Sequence, residues 1–599
     1  MVSRRNLITI ILMMMTIFFM FQFSQVVKVK NNQYDTNLYA KENILISTGK
    51  FIPDSSNECV VFIGDDKTQT YDVVKEWSDY GKKYLKQYSN LESTDDKLLM
   101  NASLILIDSK TVDCKENVIT LEEMTKNGTT MVFLNTPSSR EIKFSRRLKR
   151  LFGISKVREE EVEAKGFQVF EGFLLGGEAA YMPQKEEEEK YNDLQMNVPW
   201  YETGKGTKTY AVAMMDENEV KANEFPKLIW RNNYNGTFIY VVAADVINKE
   251  TGMGFLSAID FCAKDYSIYP VVNAQNFVLA DYPIIVEENT DKIKEVYSMN
   301  AMSLSRDITW PVFVSIANRY NLKFTGFTNT GYNYTSVKKP DESYLKFYLQ
   351  QFKEIDGEMG ISLNIEDNTQ LKNKITHDEE FLKGEGDYHY SASYAPDLDD
   401  NVLSVLDEDA LLKDVHTIVS KADDSLRTVS YVEDTVTFQG ITNIADEYTY
   451  SKELKHRSML TAIGYSTTLI DMHKVLYPEK TEDEWQNFSK EISANIHTFW
   501  ARNREFEFTA VSESDTRVRE FLNLKYSSIR ADNVITLKSD CTNDAYYVLR
   551  THGEKVVKVE GGDYSVMEED AYLIHANKGI TMIYLGESDG VFKYDGLLK

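Results

Sequence analysis

Cysteine is scarce in this chain, and the few present are scattered. Cys59, Cys114, Cys262 and Cys541 are the only four in 599 residues, and no two stand in CxxC spacing. They carry no metal-binding signal, and they permit a disulfide outside the cell without demanding one. Positive charge is short as well: 67 Lys and Arg face 93 Asp and Glu, a formal charge of −26. Such a surface repels phosphate backbones and anionic headgroups, which argues against a nucleic-acid partner. It suits a cationic polymer equally with the plainer role of aiding solubility. Internal repeats and long low-complexity segments are missing. The acidic run K-E-E-E-E-K at Lys185 to Lys190 is expected to be a solvated, disordered loop.

Long apolar runs are missing too, with one exception at the N-terminus. Arg4 and Arg5 precede an apolar stretch from Leu7 to about Phe23, close to the roughly 17–25 residues that span a bilayer. A signal peptide is the competing reading. No small-x-small cleavage pattern follows, and no cysteine is placed for lipidation, so residues 1–30 are read as an uncleaved single-pass anchor. The arginines put the short N-terminal end in the cytoplasm and the remaining chain outside, although Lys28 and Lys30 weaken the asymmetry. Residues 31–57 are polar with little periodicity and read as a stalk.

Beyond the stalk the chain alternates short apolar runs with helical stretches. Cys59 to Gly64, Ser103 to Asp108 and Thr130 to Asn135 read as buried strands, which predicts a parallel, doubly wound sheet over residues 58–265. Tyr210 to Met215 and a hairpin over Asn233 to Val242, turning at Asn235-Gly236, add later strands. Gly64-Asp65-Asp66 follows the first strand, but one glycine is not a phosphate loop, and it is given no function.

The most informative stretch is N-F-V-L-A-D-Y-P, Asn276 to Pro283, a buried-type strand that delivers a carboxylate, Asp281, to its end. A helix over Trp310 to Tyr320, a strand over Lys323 to Thr328, a helix over Asp341 to Asp356 and a strand over Met359 to Leu363 continue in the order of a (β/α) barrel. Barrel is expected over 266–540. Beyond it, Tyr546 to Arg550, Lys555 to Val559, Ala571 to His575 and Thr581 to Leu585 have period-two character, giving a small C-terminal β unit over 541–599. That unit is expected to cover one barrel end or to bind glycan.

Together, N-F-V-L-A-D-Y-P, K-F-T-G-F-T and G-E-M-G-I-S-L-N-I-E (Gly357 to Glu366) resemble the polysaccharide deacetylases of carbohydrate esterase family four. The chain is also similar, from roughly Leu228 onward, to an uncharacterised bacterial family of membrane-anchored proteins with a deacetylase-like domain, associated with Pel-type exopolysaccharide gene clusters. D-M-H-K-V at Asp471 to Val475, Glu484-Trp485 and A-Y-L-I-H-A at Ala571 to Ala576 belong to that similarity. The sheet domain before it resembles class I glutamine amidotransferases and flavodoxin-like folds, but its candidate nucleophile turn, Leu134 to Pro137, holds no cysteine. A scaffold or binding role is therefore expected there.

The esterase resemblance implies a general-base aspartate and a metal-ligand aspartate at the end of the first strand, and two histidines four residues apart on the third. By position these fall on Ala280, Asp281, Ser362 and Glu366, so three of the four groups are changed. Alanine cannot accept a proton, and one aspartate with a serine makes a poor transition-metal site. Glu366 could supply an oxygen to a weak hard-cation site. His377 and His389 are the nearest histidines downstream; each reads more simply as a surface residue in an acidic segment. Where the esterases carry an arginine-proline motif, the chain has Tyr394-Ala395-Pro396-Asp397, without the arginine. Asp281, Ser362, Glu366, His389, Tyr394, Asp471 and Trp485 are the candidate groove residues. Thirty-six Tyr and 30 Phe allow aromatic platforms for sugar rings, although most must be core.

The sequence therefore predicts a membrane-anchored extracytoplasmic protein that binds or guides an exopolysaccharide, with a catalytically silent deacetylase-like domain and no cofactor. The polymer, a cationic amino-sugar chain among the options, and the membrane-embedded synthase and export proteins are the expected partners. Two alternatives stay open: an active N-deacetylase holding a divalent metal through Asp281 and substituted ligands, and a non-catalytic assembly scaffold.

Overall fold

A computed structural model describes residues 13–14, 45–47, 58–216, 220–333, 339–382, 388–408, 412–422, 427–502, 504–541, 544–577 and 579–586. Among these, no helix is long and apolar enough to cross a membrane. The expected anchor over 7–23 lies outside the described residues except for Met13 and Met14. Of the expected stalk over 31–57, only 45–47 is described. It lies against the barrel: Arg519 Nη1 and Tyr431 Oη donate to the Leu45 carbonyl at 2.9 and 3.1 Å.

The chain has a mixed α/β architecture. Its first sheet has nine strands in the order Tyr84–Tyr88, Cys59–Ile63, Leu104–Ile107, Met131–Phe133, Thr237–Val242, Lys227–Tyr234, Lys208–Met214, Gly166–Val169, Ala179–Tyr181. The first five are parallel. Alternate residues of these strands feed two cores, with Val60, Phe62, Leu104 and Leu106 on one side and Val61, Ile63, Ile105 and Ile107 on the other. The later strands, the expected hairpin over Asn233 to Val242 among them, join the same sheet, and its last four strands run antiparallel. The cause is local. Asn235 and Gly236 take φ of 55° and 84°, the two-residue left-handed turn that reverses a chain, whereas parallel strands need a crossover of about a dozen residues.

The second sheet curls on itself. Its parallel strands run Thr417–Lys421, Ala392–Tyr394, Glu358–Ser362, Phe324–Asn329, Ala274–Ile284 and Tyr465–Asp471. Thr437–Ile441 pairs with the first of these and Asn443–Ile444 with the last, so one chain segment, interrupted at Thr442, serves both edges. The helix Val511–Asn523 seals the amino end: the Val511 amide donates to Thr325 Oγ1 (3.0 Å), the Ser512 amide to Glu358 Oε1 (2.9 Å), and Ser514 Oγ to Gln439 Oε1 (2.8 Å). With that end closed by buried hydrogen bonds, the carboxyl ends of the strands form the accessible face.

The β-rich part is two four-stranded antiparallel sheets packed face to face, with Ile268, Tyr547, Leu549 and Ile574 from one meeting Ile535, Leu537, Ile583 and Leu585 from the other. Three strands lie inside the range expected to be barrel: Tyr266–Val271, Tyr526–Ala531 and Val534–Ser539. Tyr266–Val271 pairs with Ala545–Thr551 just before the chain enters the barrel. Arg550 ties this unit to the first sheet domain by donating to the Phe173 and Gly172 carbonyls at 2.7 and 2.8 Å. All four cysteines are free thiols. The acidic run expected to be disordered folds as a short 3-10 helix, Glu186–Tyr191, because Tyr191 packs edge-on against Tyr448 at 5.1 Å.

Candidate functional site

Four strand ends converge at the open face of the curled sheet, one carrying Asp281 and the other three bringing four polar side chains to it. The residue stands in Ala274–Ile284 with φ of 53°, a left-handed conformation that Asp tolerates better than most residues. Its carboxylate is 2 % exposed and fully engaged. Ser362 Oγ (2.6 Å) and Asn329 Nδ2 (3.0 Å) donate to Oδ1. Asn364 Nδ2 donates to Oδ2 at 2.6 Å, and His473 Nδ1 lies 3.1 Å from the same oxygen. A carboxylate only accepts, so the His473 proton sits on Nδ1 in this contact.

The electrostatics follow from this packing. Burial pushes the Asp281 carboxyl up, but the His473 hydrogen bond and charge, with Ser362 and Asn364, overcome it and hold the group below the usual carboxylate range. Burial depresses His473, and the bond to Asp281 with the Asp281 and Asp471 charges reverses that and raises it. Asp471, whose Oδ1 accepts the His473 amide at 3.1 Å, is raised by burial and by the Asp281 charge beside it.

Next to this network is a small cleft lined by Asp281, Glu288, Asn329, Tyr332, His473 and Tyr477 among others. Tyr477 stacks on the His473 ring at 4.7 Å and 19°, and Tyr332 meets the same ring edge-on at 4.3 Å. Glu288 Oε1 accepts the amides of Tyr332 (2.8 Å) and Asn333 (3.2 Å), while Oε2 accepts from Tyr477 Oη at 3.3 Å. Burial raises the Glu288 carboxyl despite these bonds.

The sequence-predicted residues divide sharply. Asp281 and Ser362 touch, Asp471 stands beside them through His473, and Tyr394 is buried in the barrel against Phe327 at 5.8 Å. Ala280 is fully buried. Glu366 is exposed beside the cleft, its amide donating to the carbonyl of Tyr332 at 3.1 Å. Two others are placed elsewhere, which corrects the expected groove. His389 pairs with Asp414 at 2.8 Å. Trp485 is buried against Phe313 at 5.6 Å, a core residue and not a groove aromatic. His377 is exposed on its helix. The residues missed are His473, Asn329, Asn364, Glu288, Tyr332 and Tyr477. The signal for His473 was the spacing Asp471-Met472-His473 just after an apolar run, a second acidic strand end followed at once by an imidazole.

The esterase resemblance implies a divalent metal, and the donors present do not fit one. Both Asp281 oxygens are occupied by protein donors, Ser362 is spent on Asp281 itself, and Glu366 is exposed. Among the described residues, no three His, Cys, Asp or Glu side chains converge to hold a cation. No chemical step is therefore routed through a metal.

A family model described as an uncharacterised protein conserved in bacteria, DUF2194, matches residues 213–573. No curated protein matches the sequence. Among solved structures, Agd3, described as a novel carbohydrate deacetylase, superposes with a TM-score of 0.53 at 9 % identity, covering 89 % of this chain and 99 % of that one. A putative ThuA-like protein from Bacteroides uniformis matches 33 % of this chain and 84 % of its own at 11 % identity, with a TM-score of only 0.20. The likeness to Agd3 is one of fold and extends through nearly the whole of both chains.

Proposed function

The chain belongs to the DUF2194 family of bacterial proteins, and from that premise we propose that it is an extracytoplasmic polysaccharide-binding protein of exopolysaccharide biosynthesis or export. In this reading the apolar run at 7–23 anchors it to the cell membrane beside the polymerisation and export machinery. The deacetylase-like barrel recognises the chain in the cleft at its carboxyl face without hydrolysing it.

The observation that carries the reading is the state of Asp281. An Asp in this position serves the esterases as a metal ligand, and here four side-chain donors consume it. What remains beside it suits recognition, since Tyr332, Tyr477, Glu288 and His473 bring aromatic and polar groups to the same opening. The fold shared with a carbohydrate deacetylase supports a polysaccharide as the ligand class.

One observation favours a second reading, retained hydrolysis. His473 is held by a carboxylate through Nδ1, as a general acid or base needs to be. The two readings separate on one experiment, in which purified full-length protein is mixed with amino-sugar polymers and both binding and acetate release are followed. Saturable binding without acetate supports the first reading, and turnover abolished in H473A supports the second. The anchor is tested by fractionation, where deleting residues 1–30 is expected to release the protein from membranes.

A further inference from the structure

Two buried oxygens at the carboxyl ends of the first sheet have no donor among the described residues. Asp108 directly follows the strand Leu104–Ile107, and Asn135 lies just beyond Met131–Phe133. They are 1 % and 9 % exposed. Asn135 Nδ2 donates to Asp108 Oδ1 at 2.8 Å, and the Lys110 amide donates to the same oxygen at 3.0 Å. The first of these bonds holds the two head groups side by side, yet Asp108 Oδ2 and Asn135 Oδ1 are each left without a hydrogen bond. No Lys, Arg or His of the described residues forms an ion pair with Asp108, and Lys110 turns its ammonium to the exposed Asp245 at 3.6 Å. Leaving a buried carboxylate oxygen unmet costs free energy, so an atom of this kind calls for an occupant.

The place in the sheet is one where open α/β folds bind ligands. Counted among themselves in chain order, the five parallel strands stand 2-1-3-4-5 across the sheet. The chain therefore leaves the neighbours Cys59–Ile63 and Leu104–Ile107 toward opposite edges, and the crevice outside the carboxyl ends of such a pair is the usual seat of a ligand. Here the crevice is tight. A Cβ on Gly64 would stand 2.9 Å from both Asp108 Cβ and Thr111 Oγ1, and the Asp65 amide donates to Thr111 Oγ1 at 3.2 Å. The two loops close over Asp108, so whatever meets its free oxygen is small.

We propose that Asp108 Oδ2 and Asn135 Oδ1 hold a hard divalent cation, Mg2+ or Ca2+, whose remaining positions are filled by water. Both atoms are oxygens and one carries negative charge, the donor type of these ions rather than of zinc or copper. A site of this kind needs no cluster of three ionised side chains, since Mg2+ in particular keeps several of its waters. An ordinary water, the simpler occupant, donates to both oxygens but leaves the charge of Asp108 unneutralised. The cation ties together the ends of two neighbouring strands of the sheet domain, and the assignment is independent of the polysaccharide reading of the barrel.

The test strips full-length protein with EDTA and titrates it with Mg2+ and Ca2+ by calorimetry and with Mn2+ by EPR, at about 0.15 M salt to screen the diffuse attraction of an acidic surface. Wild type is expected to take up about one ion per chain, with Kd on the order of 0.1–1 mM. D108N, which keeps the shape of the side chain, is expected to weaken that uptake about tenfold or more, and N135L to weaken it as well. Melting curves show whether each variant is folded, and if D108N does not fold, N135L decides. E92Q removes the same charge from an exposed site in the same domain and is expected to leave the ion in place. Absence of saturable uptake by wild type overturns the assignment and leaves the pair to water. Uptake unchanged in the folded variants overturns it, and so does uptake that is lost in D281N but kept in D108N, which places the ion in the barrel.

Discussion

Replacing Asp281 by Asn keeps the shape of the side chain and removes its charge, so it isolates what the carboxylate does for the site. An Asn amide can still present one oxygen to Ser362 Oγ and Asn329 Nδ2, which now donate at 2.6 and 3.0 Å. Its NH2 group would then face Asn364 Nδ2 and His473 Nδ1, donor against donor, where the carboxylate accepts at 2.6 and 3.1 Å. Two hydrogen bonds to a charged, buried acceptor are lost. Each contributes roughly 1.5–3 kcal/mol, and rotation of the Asn364 amide or a change of His473 tautomer recovers part, which leaves about 2–4 kcal/mol of destabilisation. The second consequence is sharper. His473 is raised chiefly by Asp281, and without that hydrogen bond and charge only the Asp471 and Glu288 charges oppose burial of the ring, so its titration should move down. Urea unfolding followed by tryptophan fluorescence reads the first effect, and an NMR titration of the imidazole reads the second. If D281N unfolds within about 0.5 kcal/mol of wild type, an ordinary surface-mutation effect, and His473 titrates unchanged, the network around Asp281 does not hold the site.

The same pair sets a pH dependence. The folded His473 value lies above its ordinary 6.5, so its contribution to stability is fully present below that pH and is lost as pH rises through the raised value. The folded Asp281 value lies below its ordinary 3.8, so its contribution is present above that pH and is lost as pH falls through the depressed value. Stability from the pair should therefore be greatest in mildly acidic buffer, and in H473A both slopes should flatten. W485A should cost roughly 3–5 kcal/mol by emptying a buried site while leaving the polymer affinity of the folded fraction intact. H389A, at a half-exposed ion pair, should change stability by less than about 0.5 kcal/mol. Lys374, which donates to Asp378 at 2.6 Å and to Thr330 at 3.0 Å with no exposed surface of its own, supports the segment that carries Asn329 and Tyr332. K374M should destabilise by about 3–5 kcal/mol because it strands a buried carboxylate, and thermal unfolding would show it.

Local elements were legible in the sequence wherever periodicity and caps coincided. The helix expected over 310–320 is Trp310–Tyr320, and the one expected over 341–356 runs Glu342–Glu354, with Asp341 capping it through the Ser343 and Tyr344 amides. The strands that carry Asp281 and Ser362 were legible because fully buried strands read as continuous apolar runs. The site was only partly legible. Asn329, Asn364 and His473 meet Asp281 across sequence separations of 48, 83 and 192 residues, and no local pattern encodes a meeting of that kind. Trp485 entered the expected groove through the esterase resemblance, and His389 as one of the nearest histidines downstream. Burial against Phe313 and pairing with Asp414 take them out of it, and both facts depend on tertiary packing. In the first sheet the hairpin at Asn235-Gly236 was legible from its turn residues, whereas the strands Gly166–Val169 and Ala179–Tyr181 at its far edge were not.

The most direct test of the account is a calorimetric titration of full-length protein with amino-sugar polymer, run beside Y477A, with acetate followed in the same samples. The account predicts saturable binding by wild type, weakened about tenfold or more when the Tyr477 ring is removed from the cleft, and no acetate above the protein-free control. Absence of binding, or steady acetate release that stops in D281N, would contradict it.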